Sequence, residues 1–175
     1  MDADRKIPAV KVFVSHLNRA RPQSEAVGTN GDVTNVMSLN LGGVEFTRVW
    51  IQGVVVEVDT VLKTMVVDDG SGTVTAVVPG FDLDGRPNNE EIGAGDGDGS
   101  GDVLPNKGQH VLLVGAVTDP SAHQQRRSEL QTSCHRYLLL CDVFKDLGSE
   151  SPNRDTLWVL EVADFWRNRP RSSEG

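Results

Sequence analysis

An all-β barrel followed by one C-terminal helix is the fold class this sequence predicts, and three observations predict it. Five segments rich in β-branched and aliphatic residues are separated by turn or loop chemistry. One of these connections, Asp68-Asp69-Gly70-Ser71-Gly72, has the composition of a hairpin turn, with glycine able to supply positive φ. Near the end of the chain the period changes from two to that of a helix, over residues 153–168.

The strands are justified in order. Pro8 to Leu17 is short and apolar, and alternation aligns Val10, Val12 and Val14 as in a strand, with a brief helical turn as the alternative. Arg19 to Leu41 is polar and rich in Gly and Asn, and reads as a loop of poor order. Arg48 to Asp59 (RVWIQGVVVEVD) is the first barrel strand. Its alternation puts Val49, Ile51 and Val55 on one face and Trp50, Val54, Val56 and Val58 on the other. Gly53 inside it marks a bulge or a sharp bend. Val61 to Val67 and Thr73 to Val78 form the hairpin around the Asp-Gly turn. Gln109 to Val117 is the fourth strand and His135 to Leu147 the fifth. Five strands, with a tight hairpin between the second and third and a long connection to the fourth, predict a five-stranded OB-fold barrel.

Phe81 to Lys107 reads as an insertion, and its centre from Gly93 to Asp102 has too few apolar groups to offset its ordering entropy. Ser151-Pro152 has the chemistry of a helix start, and Pro170 stops the helix behind Arg167 and Arg169. Trp158, Val162, Phe165 and Trp166 form an apolar stripe, widened by Leu157 and Leu160. The expected organisation is an N-terminal segment and loop (1–41), the barrel (42–150) with an acidic insertion (82–104), an interface helix (151–170) and a tail (171–175). Two tryptophans and a phenylalanine exceed what capping one end of a small barrel requires. The stripe is therefore read as a surface for another protein, with capping of the chain's own core as the alternative.

Charge and residue chemistry narrow the function classes. The 175-residue chain has a net charge of −8, and seven acids against one base between Asp82 and Leu104 account for −6 of it. The remainder is near neutral and shows no basic face of the kind nucleic-acid binders carry. The second and third strands contain no aromatic residue and one base, Lys63, so base stacking has no platform there. Trp50 is expected to pack against the barrel or its covering segment. Arg126 and Arg127, in a polar loop, are left as a source of weak DNA contact within a complex.

No metal or cofactor is expected. Asp96 begins a run resembling an EF-hand loop, but the twelfth position, where a bidentate glutamate belongs, is Lys107. His16, His110, His123 and His135 are far apart and are read as satisfied strand histidines. Cys134 and Cys141 fit no zinc spacing and are expected to be reduced and buried. With no nucleotide loop, nucleophile motif or paired carboxylates, no enzyme is expected. Neither a signal-type apolar segment near the start nor a membrane-length apolar run of roughly 20 residues occurs, so an intracellular protein is expected.

The strand Arg48-Val49-Trp50-Ile51-Gln52-Gly53-Val54-Val55, the Asp68–Gly72 turn and the closing Thr156-Leu157-Trp158-Val159-Leu160-Glu161-Val162-Ala163-Asp164 together resemble the RecQ-mediated genome instability protein 2 family. Lys11 to Leu17 is similar to that family's N-terminal segment. These stretches cover less than half of the chain, and the pairing of the VW-Q-G strand with the LW-LEV helix is their most specific part. The acidic insertion and the loop around Arg126 are longer than in that family and depart from its pattern at the surface, not in the core.

The resemblance implies a nuclear, non-catalytic scaffold subunit of a complex holding a RecQ-type helicase and a type IA topoisomerase, which dissolves double Holliday junctions. It implies a heterodimer with the C-terminal OB domain of a larger subunit of the RecQ-mediated genome instability protein 1 type. Contact is then assigned to Leu157, Trp158, Val162, Phe165 and Trp166, and Trp158→Glu is expected to break the complex while leaving the barrel folded. Two alternatives stand beside this: a single-stranded DNA-binding OB subunit of replication or telomere type, and an acidic adaptor whose 82–104 loop contacts a basic protein.

Overall fold

A computed structural model describes residues 9–25, 36–78, 104–120, 136–148 and 153–168. The Gly-rich insertion with its EF-hand-like run, Arg126, Arg127, Cys134, His123, His135, Ser151-Pro152 and Pro170 lie outside the described residues.

The described residues open with a two-residue strand, β1 (Val10–Lys11), and a short helix, α1 (Val14–Arg19). A three-stranded antiparallel meander follows: β2 (Arg21–Glu25), β3 (Met37–Leu41) and β4 (Val44–Phe46). Next come the long β5 (Arg48–Asp59), then β6 (Thr64–Asp68), β7 (Thr73–Val77), β8 (His110–Thr118) and β9 (Leu138–Asp146). The last described element is α2 (Arg154–Arg167).

Strands β5 to β9 close on themselves. β5 pairs antiparallel with β6 through its second half and with β8 through its first. β6 pairs with β7, β7 runs parallel to β9, and β9 returns antiparallel to β8. A closed five-stranded barrel of this order, with the first strand shared between two neighbours and the third parallel to the fifth, is the OB-fold. Closure satisfies strand edges that an open sheet would leave bare. The interior is filled by Val49, Ile51, Val55, Met65, Val67, Val74, Val111, Leu113 and Leu139, all buried.

Two glycines allow the closure. A Cβ at Gly53 would stand 2.5 Å from the Asp68 carbonyl oxygen, and one at Gly115 would collide with the Leu140 carbonyl. Gly53 therefore serves close strand approach. The register shift in β5 falls between Val55 and Glu57, not at the glycine. This bulge corrects one face assignment. Val58, expected on the face of Trp50 and Val54 and opposite Val49, Ile51 and Val55, packs against the core because the extra residue reverses the alternation beyond it.

The N-terminal reading is corrected twice. Only Val10 of the three aligned valines lies in a strand, parallel to β5 with Val10 opposite Val49, while Val14 begins α1, the brief helical turn that stood as the alternative. The helix is capped from elsewhere in the chain. Phe13 at its N-cap offers no side-chain acceptor, and Asp69 from the β6–β7 turn accepts from the Val14 N–H at 2.7 Å. Ser71 Oγ accepts from the Ser15 N–H at 3.0 Å. The second correction concerns the expected loop from Arg19 to Leu41. Its ends form β2 and β3, and Met37 and Leu39 enter the core together with Phe46 of β4. β3 turns into β4 through Gly42-Gly43, both at positive φ, as a two-residue hairpin demands.

Candidate docking surface on the C-terminal helix

Helix α2 is apolar almost all the way round, and the barrel uses only one side of it. Toward the barrel it turns Trp158 and Val162, 6% and 0% exposed. Phe165 and Trp166, half-buried, extend that face onto the core. These positions follow the i, i+4, i+7, i+8 spacing of a single helix stripe. Away from the barrel it turns Leu157, Val159 and Leu160, which are 52%, 51% and 59% exposed, together with exposed Ala163. A helix with apolar residues on opposite sides is half-buried until a second surface covers it.

The inner face is held by β1 and α1. The Trp166 Nε1–H donates to the Lys11 carbonyl at 2.9 Å. The Lys11 ammonium pairs with Glu161 at 2.6 Å and stands 5.7 Å from the ring centroids of both Trp50 and Trp158. Trp50 is thus packed beside the covering segment, as expected of it. Phe165 and Trp166 meet edge to face with centroids 5.4 Å apart. Beyond them, Trp166 meets His16 of α1. The Trp158 indole N–H is buried with no acceptor among the described residues. At the C-terminus the Asn168 N–H returns to the Asp164 carbonyl, and Arg167 places a cation where the helix dipole favours it.

The structure divides the five residues assigned to partner contact. Leu157 is exposed and available. Trp158 and Val162 are spent on the chain's own body, and Phe165 and Trp166 are largely so. Trp158→Glu is therefore not a clean interface probe, because it would place a charge inside the chain itself. Val159, outside the five, and Leu160, which only widens the expected stripe, join Leu157 on the exposed side. The signal was present in the run Leu157-Trp158-Val159-Leu160, since four successive apolar residues cannot all face one side of a helix.

The barrel's other surfaces carry different chemistry. The outer face of β6 and β7 presents Val66, Asp68, Thr73 and Thr75, without an aromatic ring or a cation among these residues. Arg48 pairs with Asp142 on the outer face of β5 and β9. Burial raises the Asp142 carboxyl above its ordinary range, with Arg48 opposing the shift. Cys141 is a buried free thiol whose pKa burial pushes up to about 12, which keeps it protonated and unreactive. His110 begins β8, whereas His16 sits on a helix, contrary to its reading as a strand histidine. Among the described residues no three His, Cys, Asp or Glu side chains converge to hold a metal.

Barrel and helix together define a class: an OB-fold protein whose terminal helix keeps an apolar side free. Two solved structures are similar in fold. One is a chain of a replication protein A heterotrimer bound to ssDNA, with a TM-score of 0.54 and 12% identity, covering 89% of this chain and 93% of that one. The other is a chain of the S. pombe Stn1-ten1 complex, with a TM-score of 0.46 and 15% identity, covering 75% and 79%. No curated protein sequence matches the chain. The model of the family described as RecQ-mediated genome instability protein 2 matches residues 8–166. The chain belongs to that family, and is an OB-fold subunit of genome maintenance.

Proposed function

We propose that this chain is a non-catalytic scaffold in a nuclear complex of a RecQ-type helicase and a type IA topoisomerase that dissolves double Holliday junctions. It acts by pairing with the C-terminal OB domain of a larger OB subunit, of the RecQ-mediated genome instability protein 1 type. The observation that carries this reading is the outward apolar side of α2, with Leu157, Val159 and Leu160 each at least half exposed. Family membership supports a place in genome maintenance, and the kind of complex is part of the proposal. The inner residues Trp158, Val162, Phe165 and Trp166 then act by fixing the helix so that its outer side is presented in one orientation. An unpaired charge buried in such a contact is costly, so charges placed at Leu157 and Leu160 test it directly.

The test is co-expression with the C-terminal OB domain of the larger subunit, followed by size-exclusion chromatography. A one-to-one complex is expected, and it is expected to be lost when Leu157→Glu and Leu160→Glu are combined. Unchanged co-elution of that double variant would remove α2's outer side from the interface. Absence of a complex with the unaltered chain, together with salt-sensitive binding of single strands, would favour the DNA-binding alternative.

A further inference from the structure

His16 occupies the seam between α1 and the last turns of α2. Its ring centroid lies 5.3 Å from that of Phe13 and 5.3 Å from that of Trp166. Its Nδ1 is buried and has no hydrogen-bond partner among the described residues. A neutral imidazole tolerates this arrangement, since the proton can reside on Nε2 and leave Nδ1 as a bare acceptor. The imidazolium cannot, because both nitrogens then carry protons. Its Nδ1–H would be a buried donor on a charged ring with nothing to receive it.

The neighbouring charges give little relief. Arg19, one turn along α1, opposes a second positive charge. Asp69, from the β6–β7 turn, attracts it, but that carboxylate already accepts from the Val14 and Ser71 N–H groups and from the Ser71 hydroxyl. On α2, Glu161 is paired with Lys11 of β1, and Asp164 accepts from Asn168. Burial first, then Arg19, hold the imidazole below its ordinary value of 6.5, against the pull of Asp69.

We propose that His16 is an acid-sensitive latch: neutral, it seats Trp166 and the last turns of α2 on the barrel, and protonated, it releases them. The sign follows from linkage. With α2 released, the ring is solvated and titrates near its ordinary value; with α2 seated, it titrates lower. Seating is therefore fully present above about pH 6.5 and weakens as the pH falls through that value. Each unit of separation between the two states changes the seating equilibrium about tenfold once the pH lies below both.

The experiment uses the full chain alone. NMR of the His16 ring and of the Trp166 indole N–H is followed from pH 8 to pH 5, with hydrogen-exchange protection of the α2 amides measured alongside. The expected result is a His16 midpoint below 6.5, a Trp166 indole shift at the same midpoint, and a loss of α2 protection on the acid side of about tenfold for each unit by which the measured midpoint lies below 6.5. His16→Gln, neutral throughout, is expected to keep α2 protection level across the range. A His16 midpoint at or above 6.5, α2 protection that ignores the titration, or the same acid loss in His16→Gln would overturn the latch. Should His16→Gln fail to seat α2 at any pH, the unaltered chain decides alone: Trp166 must move with His16, or the proposal fails.

Discussion

The two sides of α2 are both apolar and differ in what satisfies them. The inner side carries Trp158, Val162, Phe165 and Trp166, and β1, α1 and the barrel supply its contacts. The outer side carries Leu157, Val159, Leu160 and Ala163, and these side chains remain exposed. Apolar character alone therefore does not mark an interface. The informative quantity is apolar surface left over after the chain's own core has been served. A residue's large size and its place on the most obvious stripe favour its use at home, because intramolecular packing has the first claim on it.

Substitutions that separate the two sides test the comparison, beginning with the strongest. Trp158→Ala should destabilise the isolated chain by about 3–5 kcal/mol, as truncation of a buried tryptophan does, and urea unfolding would measure it. A loss below about 1 kcal/mol would mean the inner side is not a packed surface. The combined Leu157→Glu and Leu160→Glu variant should do the opposite. Its unfolding midpoint should barely move, each exposed site contributing within about 0.5 kcal/mol. Binding of the larger OB subunit, read by isothermal titration calorimetry, should weaken by roughly 2 kcal/mol or more, about thirtyfold.

Two smaller effects sharpen the account of the inner side. Asp69→Ala removes the cap that the β6–β7 turn gives α1, the platform beneath Trp166. A loss of about 1 kcal/mol is expected, with Asp69→Asn recovering part of it. Finally, Lys11→Met deletes the Glu161 pair and the ammonium beside two indoles but keeps the aliphatic stem. Because both charges are partly exposed, the expected loss is at most about 1 kcal/mol, and part of it should vanish in high salt. A larger, salt-independent loss would show that Lys11 acts through packing.

Much of the barrel was readable along the chain. β5 was expected at Arg48–Asp59 and lies there, because a twelve-residue β-branched segment carries its period clearly. The β6–β7 hairpin and strands β8 and β9 fall within a few residues of their expected positions. β2 was not readable. Arg21-Pro22-Gln23-Ser24-Glu25 has neither apolar alternation nor β propensity, and it is a strand because β3 offers it a ladder. β3 could have been found from Met37, Leu39 and Leu41, which alternate within a stretch read as loop from its overall composition. The Asp-Asp-Gly-Ser-Gly turn was legible as a hairpin, but its capping of α1 was not, since the partners lie 55 and 56 residues apart.

The candidate site was legible as an apolar helix, but not which of its sides stays exposed. By itself the sequence determined that residues near the C-terminus form a helix with more apolar groups than one stripe can hold, and that they follow a five-stranded barrel. Both depend on local spacing, which the chain carries in its order of residues. Only the tertiary structure decided which side of that helix is spent at home. That choice depends on β1, α1 and Trp50 arriving at one place from distant parts of the chain, and burial is a property of the neighbours a side chain meets rather than of the residues that flank it.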